Sequence, residues 1–233
     1  MSNLFKRLLI CMAAGILVTC WSMPALALFI YSPKSISDTS FSSSGTTLDR
    51  TIDQSGLPDQ FKFTSGQTDY KTYIESNPTH AALNQSNAWG GSSSFPGYID
   101  FDLNEVLSVS SFALWGQSGL IGRFSINSFA LFGSIDLSFG DDEKLGEFNG
   151  SLSLTGPIEV QPFGFDAKEA RYIRLLVNSN FTGDPNSFLN IGEVAFGGTP
   201  ASAPIPEPAT ILLLGTGLAG LVGFGRRRFI ANR

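Results

Sequence analysis

Short strand-like segments separated by turn residues dominate the sequence from Tyr98 onward. These segments are 98–103, 109–116, 126–134, 144–150, 158–163, 170–179 and 190–197. Gly, Asn, Asp, Ser and Pro recur at the breaks, which is the chemistry of turns rather than of helix caps. Apart from the two ends of the chain, hardly any stretch repeats its apolar residues at helical spacing over a helix length. The pattern predicts an all-β fold, an antiparallel β-sandwich or jelly roll.

The N-terminus has the three parts of a secretory signal peptide. Basic residues near the start precede an apolar run over 8–18, and Ala25 and Ala27 form a small-x-small cleavage site before Leu28. The run is too short for a membrane-spanning anchor, which needs about 20 apolar residues. We therefore expect a signal helix over 1–27, removed by signal peptidase, and a mature chain that starts at Leu28.

Composition limits what the mature chain can be. Both cysteines precede residue 28, so the mature chain has no disulfide and no thiol chemistry. It is long enough for one domain with its own core. With the four arginines after residue 225 also set aside, it keeps all twenty acidic residues but only nine of the fifteen basic ones, which gives a net charge of −11. Such a surface repels phosphate backbones and excludes nucleic acid as a partner.

The C-terminal segment has the pattern of a membrane-spanning tail. The uncharged residues 208–225 are followed by three consecutive basic residues. These are Arg226, Arg227 and Arg228. As a helix the uncharged span would cross a thin hydrocarbon core, and the arginines favour a cytoplasmic C-terminal end. We expect a transmembrane helix within 206–228 and a cytoplasmic tail over 229–233.

The features of this tail follow a specific order. The triplet Pro206, Glu207 and Pro208 precedes a short glycine-rich span, and the arginine cluster closes the span near the chain end. This order resembles a PEP-CTERM sorting signal. The resemblance implies recognition and removal by exosortase, a membrane protease of Gram-negative bacteria that make exopolysaccharide; a permanent anchor is the alternative. The protein is then expected to cross the inner membrane, to be held there transiently, and to reach the cell surface or extracellular matrix.

Four phrases in the strand-rich region carry a second pattern. They are GYIDFDLNEVLSVSSFALWG, INSFALFGSID, ARYIRLLVNSN and NIGEVAFGG. They resemble discoidin domains, also called F5/8 type C or galactose-binding-like domains. The resemblance covers 49–198 and implies an eight-stranded sandwich there. The remaining segments are a Ser/Thr-rich leader over 28–48 and a linker over 199–205.

The discoidin resemblance implies ligand binding through loops at one end of a rigid scaffold. By position these loops lie within 54–95, 116–123 and 178–187. Trp89 and Phe181 are the loop aromatics that we expect to stack on a sugar, with Arg123 as a polar partner. Packing of Trp89 beneath a long loop is the alternative.

The discoidin resemblance also implies a possible calcium site. In this fold a calcium ion often braces the loops near the first strands through carbonyl and carboxylate oxygens. Asp53, Asp59 and Asp69 are the candidate ligands for such an ion.

Signatures of catalysis are scarce. His80 is the sole histidine, so a histidine-based triad has one candidate base, and a surface or turn role is expected for it. No Gly-x-Ser-x-Gly elbow and no phosphate-binding glycine loop occur in the sequence. Asp100 and Asp102 lie side by side on one face of a strand, without the spacing across a sugar that glycoside hydrolysis needs. We expect a structural role for this pair and no enzyme activity.

Together these features favour a secreted, exosortase-sorted surface or matrix protein. Its sandwich is expected to bind exopolysaccharide or another matrix component without catalysis. A structural surface protein without a specific glycan site is the first alternative, and a glycan-degrading enzyme is the second. Convergent aromatics at the loop end would argue against the first, whereas two carboxylates about 5–9 Å apart in a cleft would support the second.

Overall fold

A computed structural model describes residues 28–57, 68–81, 86–92, 94–116 and 119–201 of the protein. The strands are β1 (Phe29–Tyr31), β2 (Ser35–Thr39), β3 (Ser42–Ser43), β4 (Trp89–Ser92), β5 (Gly97–Trp115), β6 (Ile126–Ser134), β7 (Lys144–Asn149), β8 (Val160–Asn180), β9 (Phe188–Ile191) and β10 (Glu193–Pro200). The helices are α1 (Tyr70–Glu75) and three 3₁₀ turns, Leu48–Thr51, Gly119–Phe124 and Asp141–Glu143.

The two helices expected at the chain ends lie outside the described residues. Within the described ranges, no helix is both long enough and apolar enough to cross a lipid bilayer.

All strand pairs are antiparallel, and they form two sheets. The larger sheet has the order β1-β10-β5-β8-β6-β7. In this sheet β2 pairs with the first part of β5, and β10 pairs with the remainder of β5. The smaller sheet has the order β3-β4-β9. The prediction of an antiparallel β-sandwich is confirmed.

The two longest strands each join segments that the sequence separates. The predicted strands 98–103 and 109–116 are one strand, β5, whose register to β8 shifts between Asp102 and Leu107. At this shift Asn104 has a φ of 69°, and its N–H donates to Asp102 Oδ1 at 2.7 Å. Such a bulge bends a strand without ending it, so turn chemistry here marks a corner of the sandwich rather than a loop.

The segment 28–48, expected as a leader outside the sandwich, contributes β1, β2 and β3 to the two sheets. Ile30 and Tyr31 are both buried, because β1 lies between β10 and the start of α1. The backbone N–H of Tyr70 donates to the carbonyl of Leu28 at 2.7 Å, which fixes this arrangement. The sandwich therefore begins before residue 49, and the Ser/Thr content of the segment conceals its strands.

Phenylalanine rings fill the main core between the layers. Phe112 lies at its centre, with ring centroids 5.3 Å from Phe196, 5.8 Å from Phe129 and 6.0 Å from Phe163. Edge-to-face and offset pairs of this kind contribute about 0.5–1.5 kcal/mol each beyond the burial of apolar area. Burial of these rings stabilises a domain that has no disulfide.

A second cluster covers the opposite face of β5 and β10. Ala113, Trp115 and Ala195 alternate with the main-core residues and pack against Ile30 and Tyr70. The indole N–H of Trp115 donates to the carbonyl of Pro78 at 2.8 Å. Because both faces of the sheet are covered here, the end of β5 is apolar at every position rather than at alternate ones.

One edge of β8 has no strand beside it among the described residues. Strand β6 pairs with β8 only from Tyr172 onward, so the first part of β8 pairs with β5 alone. A side chain occupies part of this edge instead. Gln161 Oε1 accepts from the Ser151 N–H at 2.7 Å, and Gln161 Nε2 donates to the Ser151 carbonyl at 3.2 Å. The next residue, Pro162, has no N–H to offer.

Two arginine–carboxylate pairs join β5 and β8 on the outer face of the sheet. Arg174 binds both carboxylate oxygens of Asp100 at 2.7 Å, and Arg171 binds both oxygens of Asp102 at 3.0 Å. The Arg174 guanidinium also lies 4.1 Å from the ring centroid of Tyr98 and 4.4 Å from that of Phe139. Asp100 and Asp102 thus serve the pairing of two strands.

The two pairs differ in burial, which predicts different costs for breaking them. The side chain of Asp100 is 2% exposed, whereas that of Asp102 is 16% exposed. Arg174→Ala leaves a buried carboxylate without its partner, and we expect a loss of about 3 kcal/mol in the free energy of unfolding. Arg171→Ala removes the same charge from a more exposed pair, and we expect a clearly smaller loss. Urea unfolding followed by tryptophan fluorescence measures both; equal losses would contradict the role given to burial.

Candidate functional site

The outer face of the sheet β3-β4-β9 presents an exposed aromatic ring beside polar side chains. Ser42 pairs with Ser92, and Ser92 pairs with Phe188. Because residues paired across strands point to the same face, these three side chains form one row. Phe188 is 48% exposed, which is unusual for a phenylalanine within a strand. Its neighbour Leu189 points inward and is fully buried.

A buried asparagine fixes the position of Phe188. Asn180 is 1% exposed, and its Nδ2 donates to the backbone carbonyl of Phe188 at 2.7 Å. Its Oδ1 accepts from the Thr182 N–H at 3.0 Å and from the Thr182 hydroxyl at 2.6 Å. The loop that leads into β9 is therefore shaped by side-chain hydrogen bonds. The backbone that carries the Phe188 ring is thus positioned before a ligand arrives, which lowers the entropic cost of binding.

A polar cleft adjoins this row of side chains. Its volume is about 270 Å³, and it is lined by Ser40, Ser42, Ser92, Ser94 and Asn186. The Ser94 hydroxyl donates to Asn186 Oδ1 at 3.4 Å, and the Phe95 N–H donates to the Pro185 carbonyl at 2.9 Å, so the cleft walls are connected. Hydroxyl and amide groups beside an aromatic ring can orient a ligand that has both an apolar face and hydroxyl groups.

A second ring and a cation extend the surface past Phe188. The Phe124 ring meets the Phe188 ring edge-on, with centroids 6.2 Å apart. The guanidinium carbon of Arg123 lies 5.2 Å from the Phe124 centroid, and the Arg123 side chain is exposed. We define the Phe188 surface as Phe188, Phe124, Arg123, Ser42, Ser92 and the residues of the adjoining cleft.

The structure separates the three residues that the sequence proposed for sugar binding. Arg123 belongs to the Phe188 surface. Phe181 is half-buried and directly follows Asn180 in the loop before β9. Trp89 is 1% exposed on the inner face of β4, where its Nε1 donates to Ser43 Oγ at 3.0 Å. The proposed stacking role of Trp89 is therefore corrected to packing in the core, where its ring lies 5.9 Å from that of Phe41.

Sequence reasoning missed Phe188 and Phe124. The signal for Phe188 was its place in the phrase FLNI at 188–191, where Phe and Asn alternate with two residues that turn out to be fully buried. In a strand with period two, an aromatic on the polar side of the alternation is a candidate for a binding surface. The sequence pattern predicts a loop up to residue 187 and a strand only from residue 190, so the alternation over 188–191 falls across the boundary between them.

The described residues provide no ligand set for the expected calcium ion. Asp53 accepts from Arg50 Nη1 at 2.7 Å and from the Ser55 N–H at 2.9 Å. Asp69 caps α1 by accepting from the Thr72 N–H at 2.8 Å. Asp59 lies outside the described residues. Within the described part of the chain, no three His, Cys, Asp or Glu residues are grouped so as to hold a metal.

Glu193 is a buried carboxyl that the sequence analysis did not single out. It is fully buried at the start of β10, and its Oε2 accepts from the Gln54 N–H at 2.7 Å. No hydrogen-bond partner lies within reach of its Oε1. Burial raises the pKa of Glu193 well above its usual value, and the charge of Asp53 raises it further. The protonated, neutral form of Glu193 is therefore the one that the fold favours.

Titration of Glu193 predicts a pH dependence of stability. The pKa of Glu193 is higher in the fold than the ordinary glutamate value of 4.5. The contribution of Glu193 to the free energy of unfolding is therefore complete below pH 4.5 and is lost as the pH rises through the raised pKa. Glu193→Gln keeps an oxygen for the Gln54 N–H but cannot ionise. Relative to the native chain, the variant should gain up to about 1.4 kcal/mol per pH unit above pH 4.5, over the window in which Glu193 titrates. Urea unfolding between pH 4 and 8 with a chelator measures this difference; parallel curves would contradict it.

His80 is also buried, contrary to the surface or turn role expected for it. It is 3% exposed, its backbone pairs with Ile158, and its ring packs where a Cβ on Gly56 would lie. Its Nδ1 is 2.7 Å from the carbonyl of Ala81. Burial lowers the pKa of His80, so the neutral ring packs in the fold. These contacts give His80 a structural role.

Two further clefts do not have the constellation of a hydrolase. One is lined by Gly116 and residues of the stretch 151–163, and its only acidic lining residue is Glu159. The other lies around Gly56 and His80 and has no acidic lining residue. Glycoside hydrolysis needs two carboxyl groups across one cleft. Neither these clefts nor the serine-lined cleft beside Phe188 has such a pair.

Comparison with known proteins identifies the tail and the fold. Residues 204–228 match the PEP-CTERM protein-sorting motif, which confirms the sequence prediction and marks the chain for export and sorting to the cell surface. A search of curated proteins found no match to this chain.

The sandwich is similar in fold to several solved domains, some of them named as CBM32 domains. A fragment of an assigned chitobiase from Bacteroides thetaiotaomicron has a TM-score of 0.52 at 15% identity, over 75% of this chain and 95% of that one. The CBM32 of AlyQ in complex with 4,5-unsaturated mannuronic acid has a TM-score of 0.44 at 22% identity, over 72% and 96%. This chain covers 35% of a truncated AlyQ that has CBM32 and alginate lyase domains. At these identities the likeness concerns the fold. The chain thus combines an antiparallel β-sandwich with a PEP-CTERM sorting motif.

Proposed function

We propose that this protein is a secreted, exosortase-processed surface or matrix protein of a Gram-negative-type bacterium, and that it binds carbohydrate without catalysis through the Phe188 surface. The observation that carries the proposal is the exposed ring of Phe188, whose backbone is bound by Asn180 and which lies beside a serine-lined cleft. The producer's own exopolysaccharide is the expected ligand, because a sorted surface protein meets it first.

The chemistry of the Phe188 surface suits a sugar ring. One face of a pyranose presents C–H groups, which pack on an aromatic ring, while its edge presents hydroxyl groups. Ser42, Ser92, Ser94 and Asn186 offer donors and acceptors on one side of the ring. Phe124, which packs edge-on against Phe188, adds a second ring to the surface. A surface of this kind binds and orients a glycan but supplies no acid or base.

The arrangement of carboxylates supports a binding role over hydrolysis. Asp100 and Asp102, which are adjacent on one strand face, are each engaged by an arginine. The cleft beside Phe188 is lined by four serines and one asparagine, without a titratable group. A glycosidase needs one carboxyl to protonate the leaving oxygen and a second to act as base or nucleophile.

Substitution of Phe188 tests the proposed site. The full chain, purified in detergent, is titrated with the producer's exopolysaccharide, and we expect saturable binding. Phe188→Ala should weaken it at least about tenfold, because an aromatic anchor at the centre of a binding surface carries much of the affinity. Thermal unfolding should change little, because the ring is half exposed. Trp89→Ala is unsuitable for this test, since it would remove a buried core residue.

Leu154→Ala is the matched control, because Leu154 is 57% exposed and lies outside the Phe188 surface. Its binding should equal that of the native chain. Equal loss in both variants would mean that general surface hydrophobicity drives the binding. Absence of binding by the native chain would leave a sorted structural surface protein.

The fate of the tail is tested separately. We expect signal peptidase to produce a new N-terminus at Leu28 and exosortase to remove the segment after the Pro-Glu-Pro triplet, so that the inner membrane holds the chain only transiently. Intact-mass spectra of surface fractions should then lack the peptide 211–224. Replacing Arg226, Arg227 and Arg228 by Gln should retain the unprocessed chain in the membrane. Detection of the intact tail in native surface protein would instead indicate a permanent anchor.

A further inference from the structure

Six of the eight lysine and arginine residues in the described part of the chain bind carboxylates. The six are Arg50, Lys71, Lys144, Lys168, Arg171 and Arg174. The two that remain without a carboxylate partner are Lys34 and Arg123, and both are exposed. In a mature chain with twenty acidic residues and nine basic ones, partners for a cation are abundant. The position of Arg123 must therefore explain why it has no carboxylate partner among the described residues.

Arg123 stands at the edge of the Phe188 surface. Its guanidinium lies over the Phe124 ring, and Phe124 contacts Phe188 edge-on. Stacking on a ring uses the flat face of a guanidinium and leaves the N–H groups along its edge free to donate. Phe124 links these N–H groups to Phe188, the ring on which, in the proposed function, a sugar stacks.

We propose that the Phe188 surface is selective for an acidic polysaccharide, and that Arg123 binds the carboxylate of a sugar held on the Phe188–Phe124 platform. This inference rests on the proposed function and names the class of its ligand. The planar guanidinium binds a carboxylate through two parallel hydrogen bonds, which fixes the orientation of the sugar as well as its charge. Since no carboxylate among the residues that the structure describes pairs with Arg123, the ligand displaces no ion pair there.

The net charge of the domain does not prevent this contact. An acidic chain approaches a protein of net charge −11, so the long-range force is repulsive. At physiological salt the Debye length is about 8 Å, and the repulsion from distant acidic groups is largely screened. A contact at hydrogen-bond distance is screened much less. The acid of the nearby loop, Asp184, accepts from the Asn186 N–H at 2.9 Å and so is engaged within its own loop.

The test compares two forms of one glycan. The producer's exopolysaccharide is used as isolated and after reduction of its carboxylates to primary alcohols, and both forms are titrated against the full chain in detergent. We expect the native chain to bind the acidic form about tenfold more tightly than the reduced form. Arg123→Gln should bind both forms equally, at the affinity of the reduced form. Arg123→Lys should recover only part of the preference, because it keeps the charge and loses the two-point geometry.

Lys34→Gln is the matched control. It removes the other exposed cation without a carboxylate partner, so it changes the net charge of the domain by the same amount. Its preference for the acidic form should equal that of the native chain. A preference that falls equally in Lys34→Gln and Arg123→Gln would overturn the inference, because it would reflect net charge alone.

The outcomes separate this inference from the proposed function. If Phe188→Ala abolishes binding while Arg123→Gln keeps the full preference, or if the native chain binds both forms equally, the surface binds carbohydrate but Arg123 does not select acidic sugars. If the native chain binds neither form, both proposals fail. Loss of the preference in Arg123→Gln alone, with binding to the reduced form unchanged, supports the inference.

Discussion

The pairing of β5 with β8 is the interaction on which the rest of the fold depends. The two strands run together from Gly97 beside Val177 to Trp115 beside Val160, and they pass the corner between the two layers. Strands β2 and β10 pair with the edge of β5 that faces away from β8, and β6 pairs with the other edge of β8. The inner face of the pair holds Phe112 and Phe163 in the aromatic core. Its outer face holds the bidentate arginine–aspartate pairs, so burial and charge stabilise the same two strands.

The smaller sheet depends on this pair through the core. Trp89 and Leu189 bury their side chains among the rings that β5 contributes. The Gly192 N–H donates to the Trp115 carbonyl at 2.8 Å, which joins the end of β9 to the end of β5. The outer face of the smaller sheet is thereby carried on a rigid support. This explains how three short strands can hold an exposed ring such as Phe188 in a fixed position.

Sequence reasoning predicted the fold class and the strand-rich region because a period of two and turn residues are local signals. It divided β5 because the Asx turn that Asp102 makes with the Asn104 N–H resembles the end of a strand, and only tertiary pairing shows that the strand continues. It set apart 28–48 because serine and threonine hide a strand whose burial depends on β10, far away in the chain. Residue type alone favoured Trp89 as a sugar-binding ring. Tertiary packing decides which face of β4 is buried, and it thereby makes Phe188 rather than Trp89 the exposed ring. No local sequence pattern reports this packing.

The partly unpaired edge of β8 matters where many copies of the protein gather. Molecules crowded on a surface meet one another with their strand edges, and an open edge lets neighbouring chains fuse into a continuous sheet. In β8 the Gln161 side chain already makes two hydrogen bonds to the backbone of Ser151. Pro162 has no N–H to donate to an incoming strand. Gln161 and Pro162, which also line a small cleft, thus make this edge a poor template for a second strand.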